Sequence, residues 1–280
     1  MRRPKGIMLI VICLFIFWSA SIIAESKIIN NNTIVFKNVN IIPMNKKGIL
    51  KNRSVIIKDE IIQKITSKGN LNINKEAYVI DATGKYLMPG LSDMHVHIRN
   101  KSDLKLFLAN GITTVRNMAG HKTHLIYKKK INNGEIIGPN IITTTPLLDG
   151  NPPIYPHADV LSNTKVARET VREYKEKGYD YIKVYEKLNK EVYDAIIEEA
   201  KRQNIEVVGH VPDKVGIRNV ISSGQVSIEV GKKTDIVLLN KNPLKDIKNT
   251  KSIEGVLIRG KWLNKSFIQH MLEEIPQDWW

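Results

Sequence analysis

Apolar and polar positions alternate along this chain in two different rhythms, and the changeovers divide it. From Thr33 to Ile80 the period is two. "TIVFKNVNII", "SVIIKDEIIQKI" and "AYVIDATGKYLMPG" are short Val- and Ile-rich runs separated by Asn, Asp, Lys-Gly and Pro-Gly turns, which predicts a small antiparallel sheet. After Pro89-Gly90, strand-like runs at 111–118, 140–148, 179–186 and 205–211 alternate with stretches of helical spacing at 163–178 and 189–204. Asn163 and Asn189 stand where N-caps are expected, and Gly178 where a helix should stop. Repeated strand–helix units predict a parallel sheet, open or closed into a barrel. From Thr234 the shorter period returns in "TDIVLL" and "SIEGVLIRGKWL".

The head of the chain has no such rhythm. Arg2, Arg3 and Lys5 precede an unbroken apolar run from Ile7 to Trp18, and small residues follow through Ala24. This is the layout of a secretory leader spanning 1–24, so export to the periplasm or beyond is expected, with membrane attachment only if the leader is retained. The run is about 12 residues long, against the roughly 20 that cross a bilayer. Cys13 is the only cysteine and lies inside the run, so the mature chain would need no disulfide.

With 42% hydrophobic residues in 280, the chain can build a sizeable core. Its net charge of +15 is dispersed rather than gathered into a stripe with interleaved aromatics. Nucleic acid is therefore not expected as a partner, and a small-molecule substrate is.

"LMPGLSDMHVHIRN" holds the first candidate chemistry. His95 and His97 are two apart on a strand, so both side chains leave one face and can converge on one ion. In "YIKVYEK", Lys183 shares a strand face with Tyr181 and Tyr185, where desolvation would lower its pKa. His210 ends the next strand, in "IEVVGHVP". His157, in the Pro-rich loop "NPPIYPHADV", is a candidate substrate contact. His121 and His124 are expected at the surface near a helix start, and His270 is given no role.

Together "LMPGLSDMHVH", "GITTVRNMAG", "IKVY", "VVGHVP" and "GKKTDIVLLNKNPLKDI" resemble the amidohydrolase superfamily, nearest its imidazolonepropionase-like and Xaa-Pro dipeptidase-like members. The resemblance implies a metal-dependent barrel of strand–helix units at 88–230, flanked by a β-sandwich assembled from 25–87 and 231–280. It implies hydrolysis of carbon–nitrogen bonds in amides, cyclic amides or dipeptides. It further implies divalent ions, zinc first: His95 and His97 as ligands of one ion, Lys183 carboxylated as a bridge, and His210 as a ligand of a second. In intact relatives two such ions stand roughly 3.5–4 Å apart.

The family pattern then breaks. A sixth strand should end Ser-Ile-Glu-His, but Ser227, Ile228 and Glu229 are followed by Val230, and the terminal β segment begins at Gly231. The aspartate expected at the end of an eighth strand has no counterpart. Met88 to Glu229 is about 140 residues, where a closed barrel takes about 250. The expectation is an incomplete barrel of five to six strands with an internal deletion, impaired or non-catalytic, its open sheet edge available for self-association. A disrupted gene product is the remaining alternative.

Overall fold

The computed structural model describes residues 29–45, 47–67, 73–224 and 236–275. The leader at 1–24 and the break at Glu229–Gly231 lie outside the described residues. Among those described, no helix is long and apolar enough to cross a membrane.

Two sheets make up the fold. The first is built from β1 (Ile29–Asn30), β2 (Thr33–Ile41), β3 (Leu50–Lys58), β4 (Ile61–Ser67), β5 (Tyr78–Asp81) and β6 (Tyr86–Pro89), joined by β13 (Ile236–Leu239), β14 (Ile253–Ile258) and β15 (Lys261–Asn264) from the far end of the chain. Its order is β1-β15-β14-β13-β6-β2-β3-β4, with β5 beside β2. β13 fits antiparallel between β6 and β14, with Val237 opposite Met88 on one side and Val256 on the other. Alternation along β13 sends Leu238 into a cluster with Phe36, Ile57 and Trp262. Val237 and Leu239 go to the opposite face, against two helices described below. Phe36 and Trp262 meet edge to face at 5.5 Å between ring centroids, which ties the two chain ends together.

One expectation for this sheet is corrected. β2, β3 and β4 form an antiparallel meander, but β5 and β6 run parallel to β2, end to end along it. They are one interrupted strand, broken where Asp81 accepts hydrogen bonds from the Thr83 backbone and hydroxyl and Gly84 takes φ +77°.

The second sheet is parallel and curls into a half-barrel. It comprises β7 (Leu91–Val96), β8 (Ile112–Asn117), β9 (Asn140–Asp149), β11 (Tyr181–Val184) and β12 (Glu206–Gly209), with the short β10 (Asp159–Val160) beside β9. Its helices are α1 (Lys101–Ala109), α2 (Lys122–Asn132), α3 (Thr164–Glu176), α4 (Lys190–Arg202) and α5 (Ile217–Ser223); α6 (Lys265–Glu273) follows β15. α1 and α6 are the helices that cover Val237 and Leu239. Asn163 caps α3 by accepting from the Val166 N–H at 3.0 Å, and Asn189 caps α4 through Val192 at 2.8 Å. Gly178 follows the C-cap of α3 at φ +89°. Ala167 and Val171 of α3, and Val192 and Ile196 of α4, bury against Ile182 and Val184 on the outer face of β11. That fixes the remaining residues of β11, Tyr181 and Lys183, on the inner face.

Glu199 anchors α3 to α4. Its side chain is 2% exposed and accepts from Arg172 Nε at 2.8 Å and Gln203 Nε2 at 2.9 Å. The Arg172 hydrogen bond, then that from Gln203, lower its pKa from 4.5 to about 2 against an opposing desolvation. A carboxylate depressed on folding contributes stability that is full above its unfolded pKa and is lost as pH falls through the folded value. Thermal midpoints of wild type should therefore fall as pH drops from about 4.5 to about 2. Glu199→Gln should cost about 1–2 kcal/mol at neutral pH, because half-exposed Arg172 is screened, and should flatten that acid limb. An acid limb of unchanged slope in the variant would refute the assignment.

Candidate metal centre

All five candidate site residues, His157 included, open into one cleft. His95, His97, Lys183 and His210 line a cavity of about 390 Å³ with Ala119, Leu147, Tyr155, His157 and Tyr185. The arrangement follows from strand geometry. On β7, Val96 faces the helices, so His95 and His97 face inward, with ring centroids 5.4 Å apart. On β11, the Lys183 N–H donates to Thr145 Oγ1 at 2.9 Å while its side chain, 2% exposed, points into the half-barrel. Tyr181 packs below it with Met118 and Val208. His210 directly follows β12, where Gly209 at φ +137° lets the chain pass against β11, and its own N–H donates to the Val184 carbonyl at 3.1 Å.

The electrostatics keep nitrogen lone pairs free. Burial, then Lys183, lowers the pKa of both His95 and His97. Burial pulls Lys183 down to about 8, with Arg116 adding to it. His210 is turned another way: its Nδ1 lies 3.0 Å from Glu186 Oε1 and its ring 4.2 Å from that of Tyr185. Among the described residues no three His, Cys, Asp or Glu side chains stand close enough to hold an ion without the lysine.

Several residues here carried no signal in the sequence. Arg116 donates from Nε to the Met94 carbonyl at 2.8 Å on the inner face. Asp149 is fully buried and accepts from the backbone N–H groups of Gly150, Lys187 and Ile154 at 2.9, 2.6 and 2.9 Å. It thereby ties the loop bearing Tyr155 and His157 to the loop after β11. Tyr155 stacks on His157 at 5.5 Å and lies 5.7 Å from Tyr185, an aromatic wall along the cleft. A carboxylate that satisfies loop N–H groups can be recognised only once both loops are placed.

The other histidines separate. His121 is exposed and caps α2, as a surface residue should, and His270 lies exposed on α6 beside Glu273 and Glu274. His124, expected at the surface, is instead buried. α2 begins at Lys122, which turns position 124 onto the same inward stripe as Ile131.

No family model matches the chain. It is 27% identical over 245 residues to an ochratoxinase of Aspergillus niger, covering 64% of this chain and 50% of that protein. A dihydroorotase of Staphylococcus epidermidis is 37% identical over 79 residues, 25% of this chain and 18% of that one. The solved structure of a molinate hydrolase matches with a TM-score of 0.67 at 16% identity, covering 89% of this chain and 97% of that one. The chain belongs to the amidohydrolase superfamily. This amidohydrolase chain spans half the length of the ochratoxinase it matches. Members of the superfamily act on carbon–nitrogen bonds of small molecules and generally use divalent metals.

The donors present fit such an ion. Two imidazoles kept neutral stand side by side, next to a buried amine whose lowered pKa favours the neutral form that can react with CO₂.

Proposed function

We propose that this amidohydrolase binds a divalent metal, zinc first, in the cleft between β7 and β12, and hydrolyses small amides, cyclic amides or dipeptides with turnover well below that of a complete barrel. The observation that carries the reading is the convergence of His95, His97, Lys183 and His210 on one cavity. His95 and His97 would hold the first ion, with Lys183 as a carboxylated bridge and His210 toward a second. A bound ion supplies Lewis acidity toward a scissile carbonyl and a water acidic enough to attack at neutral pH. The chain's own residues do the rest. The Asp149-tied loop sets Tyr155 and His157 along the cleft as substrate contacts, and Glu186 orients the His210 ring.

Low turnover is supported by what the cleft contains. Among the described residues its lining includes no carboxylate to accept a proton from an attacking water. In the sequence Val230 stands where the family pattern places a histidine. The chain also spans only half the length of the ochratoxinase it matches, which is compatible with missing barrel strands. The same facts favour a second reading, a non-catalytic remnant that keeps one ion.

Metal analysis of the purified full chain, paired with hydrolysis assays on N-acyl amino acids, dipeptides and cyclic ureides, decides between them. The expected result is one or two ions per chain and slow hydrolysis that a chelator abolishes. One ion without turnover establishes the remnant, and no ion overturns both. Genomic DNA read across the codons for Glu229 to Gly231 tests the deletion: some hundred further codons carrying His and Asp would abolish it. The apolar leader supports export as part of this reading, and N-terminal sequencing of exported protein should then begin near Glu25. Self-association across the edge of β12, which pairs with β11 alone among the described residues, is part of the same proposal, with sedimentation as the check.

A further inference from the structure

We propose that Asn117 and His124 form a clamp that positions the His95–His97 pair for its ion. The inference rests on the metal-binding reading above and assigns a task to two residues outside the cleft.

β7 needs such a device. It ends the half-barrel sheet, pairing only with β8 among the described residues, and its ladder shifts register between Asp93 and Val96. Side-chain and backbone bonds from outside the regular ladder hold the strand just where the histidines stand. Arg116 Nε donates to the Met94 carbonyl at 2.8 Å, and the Met118 N–H donates to the Val96 carbonyl at 2.8 Å. At Ile98, the residue after His97, both backbone groups are taken by the clamp. The Ile98 N–H donates to Asn117 Oδ1 at 3.0 Å, and the Ile98 carbonyl lies 2.9 Å from His124 Nε2. Asn117 Nδ2 closes the ring, 2.9 Å from His124 Nδ1.

Donor and acceptor roles in this ring are forced. A backbone N–H can only donate, which fixes the Asn117 oxygen toward Ile98 and its nitrogen toward His124. His124 Nδ1 must then accept, so the proton sits on Nε2, and that nitrogen donates to the Ile98 carbonyl. The imidazole is neutral in this arrangement, consistent with the burial that lowers its pKa. Asn117 Nδ2 has two hydrogens to share among His124 Nδ1, the Ala119 carbonyl at 3.1 Å and Thr143 Oγ1 at 3.1 Å, and the last of these extends the hold to β9. Asn117, Thr143, His124 and Ile98 are all buried, so the ring of bonds joining them is shielded from water. The strand end that carries both imidazoles is thereby fixed from behind, leaving their rings free to face the cleft.

The test is zinc affinity of the full-length protein, measured by competition with a chelator of known affinity, beside thermal unfolding of the metal-free form. His124→Phe keeps the ring volume and removes both hydrogen bonds; it should weaken zinc binding by about tenfold or more. Asn117→Asp keeps the acceptor for Ile98 and loses the donor to His124, and should weaken binding several-fold while remaining folded. His124→Gln retains a donor and an acceptor and should recover most of the loss at comparable stability, which a merely structural role would not produce. Wild-type zinc affinity in both His124→Phe and Asn117→Asp would overturn the clamp alone. A wild-type protein that binds no zinc overturns the metal reading and the clamp with it.

Discussion

Lys183→Met should raise the thermal stability of the metal-free protein and remove its metal binding at the same time. The side chain is 2% exposed in a pocket where desolvation and Arg116 pull its pKa down to about 8. At neutral pH it remains largely cationic, so the folded state carries a buried charge beside a second cation. Such a charge is tolerated only when something outside folding stability requires it. Methionine has similar length and reproduces the packing without the charge. The gain expected is about 1–2 kcal/mol, or roughly 2–8 °C in midpoint for a chain of this size. Chelated samples must be used, because a bound ion would itself stabilise wild type and hide the gain. Zinc affinity should fall by at least a hundredfold, since thioether sulfur cannot replace the two anionic oxygens of a carboxylated amine. A variant that is less stable and still binds zinc as wild type does would make Lys183 a packing residue and remove the centre of the proposed site.

Much of this was legible in the sequence because the relevant information is local. Period-two spacing on β7 places His95 and His97 on one face whatever the rest of the chain does. Asn163 and Asn189 cap their helices through side-chain bonds to residues three positions on, a pattern readable without any tertiary contact. The inward position of Lys183 also follows from alternation, once Ile182 and Val184 are assigned to the helix-covered face. Illegible features depend on partners far away in the chain. Asp149 meets Lys187 across the gap between two loops, and nothing near either residue announces the bond. His124 carries no local signal of burial, because the groups that hold it, Asn117 and the Ile98 carbonyl, lie 7 and 26 residues back along the chain. The parallel course of β5 and β6 beside β2 is illegible for a different reason. Alternation fixes the face of a strand but says nothing of its direction relative to its neighbour.

Gly209→Ala should be among the most damaging single changes in the half-barrel. Gly209 adopts φ +137°, a backbone conformation closed to L side chains, and a Cβ there would stand 2.1 Å from the Val184 carbonyl oxygen. Neither atom can yield cheaply: Val184 pairs with Gly209 in the β11–β12 ladder, and Lys183, next to it, pairs with Val208. Strain and overlap together should cost about 3 kcal/mol or more, lowering the midpoint by roughly 6–12 °C. The damage should not stop at stability. β12 has β11 as its one ladder partner among the described residues, so relief of the clash moves β12 and carries His210 away from Glu186 and Tyr185. Affinity for a second ion should therefore drop in Gly209→Ala to the level of His210→Ala, while the first ion at His95 and His97 is retained in both. Calorimetry and metal titration of the two variants side by side give the answer. If Gly209→Ala unfolds within about 0.5 kcal/mol of wild type, the close approach of β12 to β11 is not what sets His210 at the rim.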